Sequence, residues 1–162
     1  MPRYLYTYVP KQNTVSEEGL LGTAKSPEGW LKYRERSGKA TKEEVLKWLD
    51  SMVKGFHRSR AISFLTEPIP ETAHPDMVAF AKAKQLYRVP DYDTLRKLKI
   101  VRAIQSINTG NRRGTHDVVR PSYKHIDWAH KEPGKFLFSN VPHYLVETTD
   151  GTIPPEFVEP VV

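Results

Sequence analysis

His57, Arg58 and Arg60 fall within four residues of one another, just ahead of a β-like run. Two guanidinium groups crowded into one short loop can fork onto a phosphate. A second basic constellation is Asn108-Thr109-Gly110-Asn111-Arg112-Arg113-Gly114-Thr115-His116-Asp117, with Arg120 and Lys124 just beyond. Its glycines let the backbone approach an anion closely, and Arg112 with Arg113 can grip phosphates. Tyr123 and Trp128 are interleaved with these cations. Charge plus stacking of that kind can hold single-stranded nucleic acid. The plain alternative is a solvated basic loop, and the segment matches no named phosphate-loop motif.

Histidine chemistry is a further option. His57, His116 and His125, with Lys124, supply the groups for metal-independent phosphodiester cleavage. There one imidazole acts as base, another as acid, and a cation steadies the phosphorane. The spacing of His116, His125 and His130, with Asp117 and Asp127, fits no standard zinc pattern. His125 and His130 are five apart, a poor fit to one helical face, so no metal site is expected.

The frame that must position these residues is a chain of 162 residues, the size of one domain. It has no cysteine, which excludes a disulfide scaffold, a thiolate zinc site and a cysteine nucleophile. Thirteen prolines against nine glycines favour stiff loops over a plain helix bundle. No apolar run approaches the length of a membrane span, and the first residues carry no signal-peptide pattern, so a cytoplasmic protein with no membrane contact is expected. The net charge of +6 suits an anionic ligand or nucleic acid, and equally suits ordinary solubility. The stretch 88–123 carries much of that surplus.

Tyr4 to Val9 is rich in β-formers and reads as a first strand, with Tyr4, Tyr6 and Tyr8 on one face and Leu5, Thr7 and Val9 on the other. That tyrosine face is either half-buried sheet or a platform for a base. Trp30 to Arg36 fits a helix with Trp30, Leu31 and Tyr33 inward. Thr41 and Glu44 form a capping box ahead of a helix over 42–54. Arg60 to Thr66 and Gln85 to Val89 read as strands, and Pro75 to Lys84 as a helix. Asp93 reads as the cap of a helix over 94–107, with Leu95, Leu98, Val101 and Ile104 as its stripe. A short helix at 123–130 and strands at 136–138, 144–147 and 153–158 complete an α+β domain of five or six strands and about three helices. Both sheet edges are expected near prolines.

Three segments stand in a recognisable order. They are Leu5-Tyr6-Thr7-Tyr8-Val9-Pro10 with Glu18-Gly19-Leu20-Leu21; Arg60-Ala61-Ile62-Ser63-Phe64-Leu65-Thr66-Glu67-Pro68 with Leu86-Tyr87-Arg88-Val89; and Pro142-His143-Tyr144-Leu145-Val146-Glu147 with Gly151-Thr152-Ile153-Pro154-Pro155-Glu156-Phe157-Val158. This layout resembles the small ADP-ribosyltransferase-like domains of toxins, phage proteins and defence systems, over about a third of the chain.

The resemblance implies a split, mixed or antiparallel sheet with a cleft for NAD, used as a substrate. It implies transfer of ADP-ribose to a nucleic acid or a protein, or binding alone. Under it, Tyr6, Thr7 and Tyr8 would supply stacking and a ribose contact, and Arg58 or Arg60 would hold the diphosphate. Ser63 and Thr66 would bond a ribose or orient the acid. The sequence departs from the family at two positions. Tyr6 stands where many relatives carry histidine. The family's catalytic glutamate usually precedes the Leu-Val pair, where this chain has His143 or Tyr144, and Glu147 follows the pair. Glu147 is the leading candidate acid, with Glu67 and Glu156 as alternatives. Two other functions stay open beside the NAD-dependent transferase: a non-enzymatic nucleic-acid-binding module using 108–130, and a metal-independent histidine ribonuclease.

Overall fold

The computed structural model describes residues 3–52, 54–108, 122–125, 134–135 and 141–162. Alternating β-formers make β1 (Tyr4–Pro10). A one-turn helix, α1 (Val15–Glu18), leads to β2 (Leu20–Leu21) through Gly19. Gly19 holds φ +74°, and any Cβ there would strike the Ile153 carbonyl, so only glycine permits this approach. Helix α2 (Leu31–Ser37) buries none of its residues and stops at Gly38 in the left-handed region. Helix α3 (Lys42–Asp50) is capped by Thr41 as expected: the Glu44 N–H donates to Thr41 Oγ1 at 3.3 Å, and the Glu44 carboxylate turns back to accept the Thr41 hydroxyl at 2.9 Å.

A 3-10 turn (Arg58–Arg60) then feeds β3 (Ala61–Leu65). Helix α4 (Pro75–Lys82) starts on Pro75, and β4 (Lys84–Pro90) follows. Helix α5 (Tyr92–Lys97) is capped not by Asp93 but by Asp91, and Asp91 Oδ1 accepts the Thr94 N–H at 3.0 Å. Next come β5 (Val101–Asn108), β6 (Ser122–His125), β7 (Gly134–Lys135), β8 (Pro142–Thr148), β9 (Thr152–Ile153) and β10 (Glu159–Pro160), with a 3-10 turn at Pro155–Phe157 before the last.

The main sheet runs β10-β4-β1-β3-β8-β5-β6, with β7 also on β8, and β2 pairs β9 separately. Every pairing among the described residues is antiparallel. The chain is thus a small α+β domain with an antiparallel sheet and five short α-helices among the described residues, rather than three. No helix of the described residues is long and apolar enough to cross a membrane.

One expectation fails outright. The spacing that suggested a helix over 94–107 breaks at Lys99, which takes φ +58°. Beyond it, β-branched Ile100, Val101 and Ile104 favour an extended chain. Val101 and Ile104 enter the core as part of β5. Within 123–130, residues 122–125 form a strand, not a helix, and 136–138 lie outside the described residues.

One face of the sheet packs on α5 and the β2–β9 pair. Leu5, Phe64, Val89, Leu95, Ile104 and Val146 are buried there. The opposite face is covered in two places. Phe56 seals Ala61 and Leu145 at one end. Ile69, Met77 and Phe80 pack over Leu65 and Tyr8 at the other. Between the two covers, Ser63 is the exposed residue of β3.

Candidate functional site

The segment that carries the two sequence-predicted arginines is pinned at both ends. Phe56 is 2% exposed against the sheet. At the C-terminal end of α3, Asp50 accepts the Ser59 N–H and the Ser59 hydroxyl, each at 2.9 Å. The Thr148 hydroxyl donates to the Arg60 carbonyl at 2.8 Å, which ties the turn to β8. Short-range sequence (the 3-10 turn) and long-range contacts (Asp50, β8) therefore fix the same few residues.

That rigid segment meets Glu147. In β8 Glu147 pairs with Ala61 on one side and Ala103 on the other, so small residues flank its carboxylate. The side chain is fully buried. Oε1 accepts the His57 backbone N–H and lies 3.0 Å from His57 Nδ1. Oε2 lies 3.4 Å from an Arg102 nitrogen and 3.9 Å from an Arg60 nitrogen. It makes no hydrogen bond among the described residues, and neither does the buried Arg60 Nε. The three partner side chains are 42%, 31% and 55% exposed for His57, Arg60 and Arg102. A carboxylate in the protein thus holds two guanidinium groups and an imidazole at the surface. Arg60 also donates to the Thr149 carbonyl at 3.3 Å. Arg102 lies 3.3 Å from His57 Nδ1, so its nitrogen and the Glu147 carboxylate meet the same ring nitrogen.

Such an arrangement can do one thing well. It presents fixed, partly desolvated cations to an anion, and phosphate suits the geometry of guanidinium. It does not present Glu147 to a ligand, because the side chain is fully buried, with His57 at Oε1 and the two arginines at Oε2.

Arg58 diverges from Arg60. Its guanidinium stacks on Tyr33, 5.5 Å from the ring centroid, and donates to the Tyr33 hydroxyl at 3.4 Å. It also lies close enough to His143 to disfavour the imidazolium there. Burial is the larger cause, and together they bring His143 down to about 4, so the ring is neutral near pH 7. His143 stands in one register row with two residues of the first two segments: Tyr6 pairs with Leu65, and Leu65 pairs with His143.

Other predicted residues separate. Tyr6 shares the sheet face of Glu147 and His143 by alternation. Thr7 is buried on the opposite face, so it cannot join Tyr6 in one site. Tyr8 serves the packing: its oxygen accepts the Ile69 N–H at 2.9 Å and its ring meets Phe80 edge-on at 5.8 Å. Burial pushes its phenol up, and the Ile69 contact pulls the other way. Thr66 is half-buried just past β3, and Glu67 is exposed. Glu156 lines a small crevice of about 110 Å³ with Tyr4, Arg88 and Phe157, formed at the β4–β10 edge. Arg112, Arg113 and Arg120, with His116 and Trp128, lie outside the described residues. Lys124 and His125 are described only by their places in β6, opposite Ser106 and Gln105.

Arg102 is the site residue that sequence reasoning missed. A register shift in β5 between Val101 and Ala103 makes room for it, and its guanidinium reaches Glu147. In the expected helix it would have been one more solvated cation. The β-branched residues around it were the available signal.

No protein-family model, curated protein or solved structure was found to match this chain.

Proposed function

We propose that the protein binds a pyridine dinucleotide, NAD, along the sheet face between the two apolar covers, as an ADP-ribosyltransferase-like domain. The observation that carries this reading is adjacency. The three segments of the resemblance are neighbouring strands in the order β1-β3-β8. Tyr6 and Glu147 lie two strands and four residues apart on the same face. At about 4.8 Å per strand and 3.4 Å per residue, that is roughly 17 Å. Such a span suits an extended dinucleotide better than a single nucleotide.

In this reading Arg60 and Arg102 take the diphosphate, held in place by Glu147. Ser63, open between the two apolar covers, meets a ribose hydroxyl. Tyr6 offers a ring face to the nicotinamide. Glu147 acts as an anchor for the arginines rather than as the acid beside the sugar. The family's acid position carries His143 or Tyr144, and neither the neutral imidazole nor the phenol contributes negative charge to an oxocarbenium-like state. Binding is therefore the core of the proposal, and transfer to a nucleic acid or protein acceptor is its extension.

Titration calorimetry tests it. NAD and ADP-ribose should both bind through the diphosphate, NAD the more tightly because only it has a nicotinamide for Tyr6, and nicotinamide alone should not bind. Arg60→Ala should weaken NAD by about tenfold or more, the loss expected for one charge-assisted contact. Heat from neither NAD nor ADP-ribose at millimolar concentration would refute the reading. Nicotinamide release on incubation would extend it to transfer.

A further inference from the structure

One ring nitrogen of the Glu147 cluster has two partners that make opposite demands on it. His57 Nδ1 lies 3.0 Å from Glu147 Oε1 and 3.3 Å from Arg102 Nη1. A guanidinium is always a donor, and an ionised carboxylate is always an acceptor. With a proton on Nδ1, the ring donates to Glu147 and turns an N–H towards Arg102. With a bare Nδ1, it accepts from Arg102 and turns a lone pair towards Glu147. No protonation state satisfies both contacts. The backbone does not relax the conflict. The His57 N–H is itself held by Glu147 Oε1, Phe56 is buried beside it, and Asp50 of α3 fastens Ser59. Movement is open to the side chains of His57 and Arg102, which are 42% and 55% exposed.

The same choice alters the charge of the site. Glu147 of β8 faces His57, Arg60 of the 3-10 turn and Arg102 of β5. One positive charge is in surplus beside a neutral ring, and two beside an imidazolium. No other acid lies within ion-pair distance of these three cations among the described residues. Arg58, the other cation of the turn, stacks on Tyr33 of α2. His143, the neighbouring imidazole on β8, is held down to about 4 and stays neutral from pH 5.5 to 8.

We infer that His57 is the positioning residue of Arg102: in its neutral Nε2–H form it holds the guanidinium beside Glu147, and as an imidazolium it releases it to an anion. The consequence for binding rests on the dinucleotide reading above. At low pH the diphosphate meets a released arginine and one more positive charge, so affinity rises as pH falls.

Two measurements test the inference at pH 5.5 and 8, which bracket the range where histidines ordinarily change charge. In calorimetry, ADP-ribose, whose diphosphate keeps its charge throughout, should bind about tenfold more tightly at pH 5.5, the gain of one charge-assisted contact. His57→Gln, uncharged at both, should lose most of that difference, with its fold checked by circular dichroism. In NMR without ligand, Arg102→Ala should move the His57 ring titration to higher pH, because the competing cation is gone. A wild-type binding profile no steeper than that of His57→Gln would overturn the inference. So would a His57 ring that titrates alike in wild type and Arg102→Ala. No ADP-ribose binding at either pH would refute the dinucleotide reading instead, and the ring titration would then decide the role of His57 by itself.

Discussion

Replacing Glu147 by alanine should lower the free energy of unfolding by about 3 kcal/mol in urea denaturation, the low end for breaking a buried ion pair. The fully buried carboxylate is the common partner of His57, Arg60 and Arg102. Its removal leaves the His57 N–H without the acceptor it now has, and brings the two guanidinium groups together with no anion between them. The low end applies because the three partner side chains are part-exposed and can turn to water. Glu147→Gln separates two effects. Its amide oxygen can still accept from His57, so it should lose less stability. It removes the charge that holds the arginines, so its NAD affinity should fall nearly as far as that of Arg60→Ala. A Glu147→Ala protein as stable as wild type would show that the cluster contributes nothing to the fold.

The second large effect is a dependence on pH. His143 is held near 4 in the folded chain, against 6.5 for the free group. Below about 6.5 the unfolded chain takes up a proton that the folded chain refuses. Stability from this residue is therefore complete above pH 6.5 and is lost as pH falls towards 4. Over that window the loss is about 3 kcal/mol, from 1.36 kcal/mol for each unit of separation. Carboxylates contribute to acid unfolding too, so the comparison that isolates His143 is with His143→Gln. The variant, which has no imidazole to protonate, should show a flatter stability profile between pH 6.5 and 4. In wild type, the His143 ring resonances in NMR should not titrate until about pH 4. Equal slopes in the two proteins, or a ring that titrates near 6.5, would refute the assignment.

Much of the frame is legible locally. Strand β1 follows from alternating β-formers before a proline, α3 from its Thr41–Glu44 pair, and α4 from Pro75 at its first position. These are effects of neighbours in sequence. The region 94–107 misleads because Leu95, Leu98, Val101 and Ile104 fit a helical stripe as well as a helix followed by a strand. The choice is made by Lys99 turning left-handed and by β8 pairing with β5. Neither is encoded by periodicity.

The site is legible in part for the same reason. Arg58 and Arg60 stand out as a pair, and Glu147 stands out as an acid at the end of a β segment. Their relation does not, since His57 and Glu147 are 90 residues apart and meet only because β3 and β8 are neighbours. Whether Glu147 faces a ligand or anchors arginines is a matter of burial, and it changes the role of the residue without changing its identity.

The most direct measurement is a crystal structure of the protein soaked in NAD. The diphosphate is expected at about 2.9 Å from the Arg60 and Arg102 guanidinium groups. The nicotinamide end should run towards Tyr6 past Ser63. A dinucleotide bound on another surface, or a sheet face left vacant at saturating NAD, would contradict it.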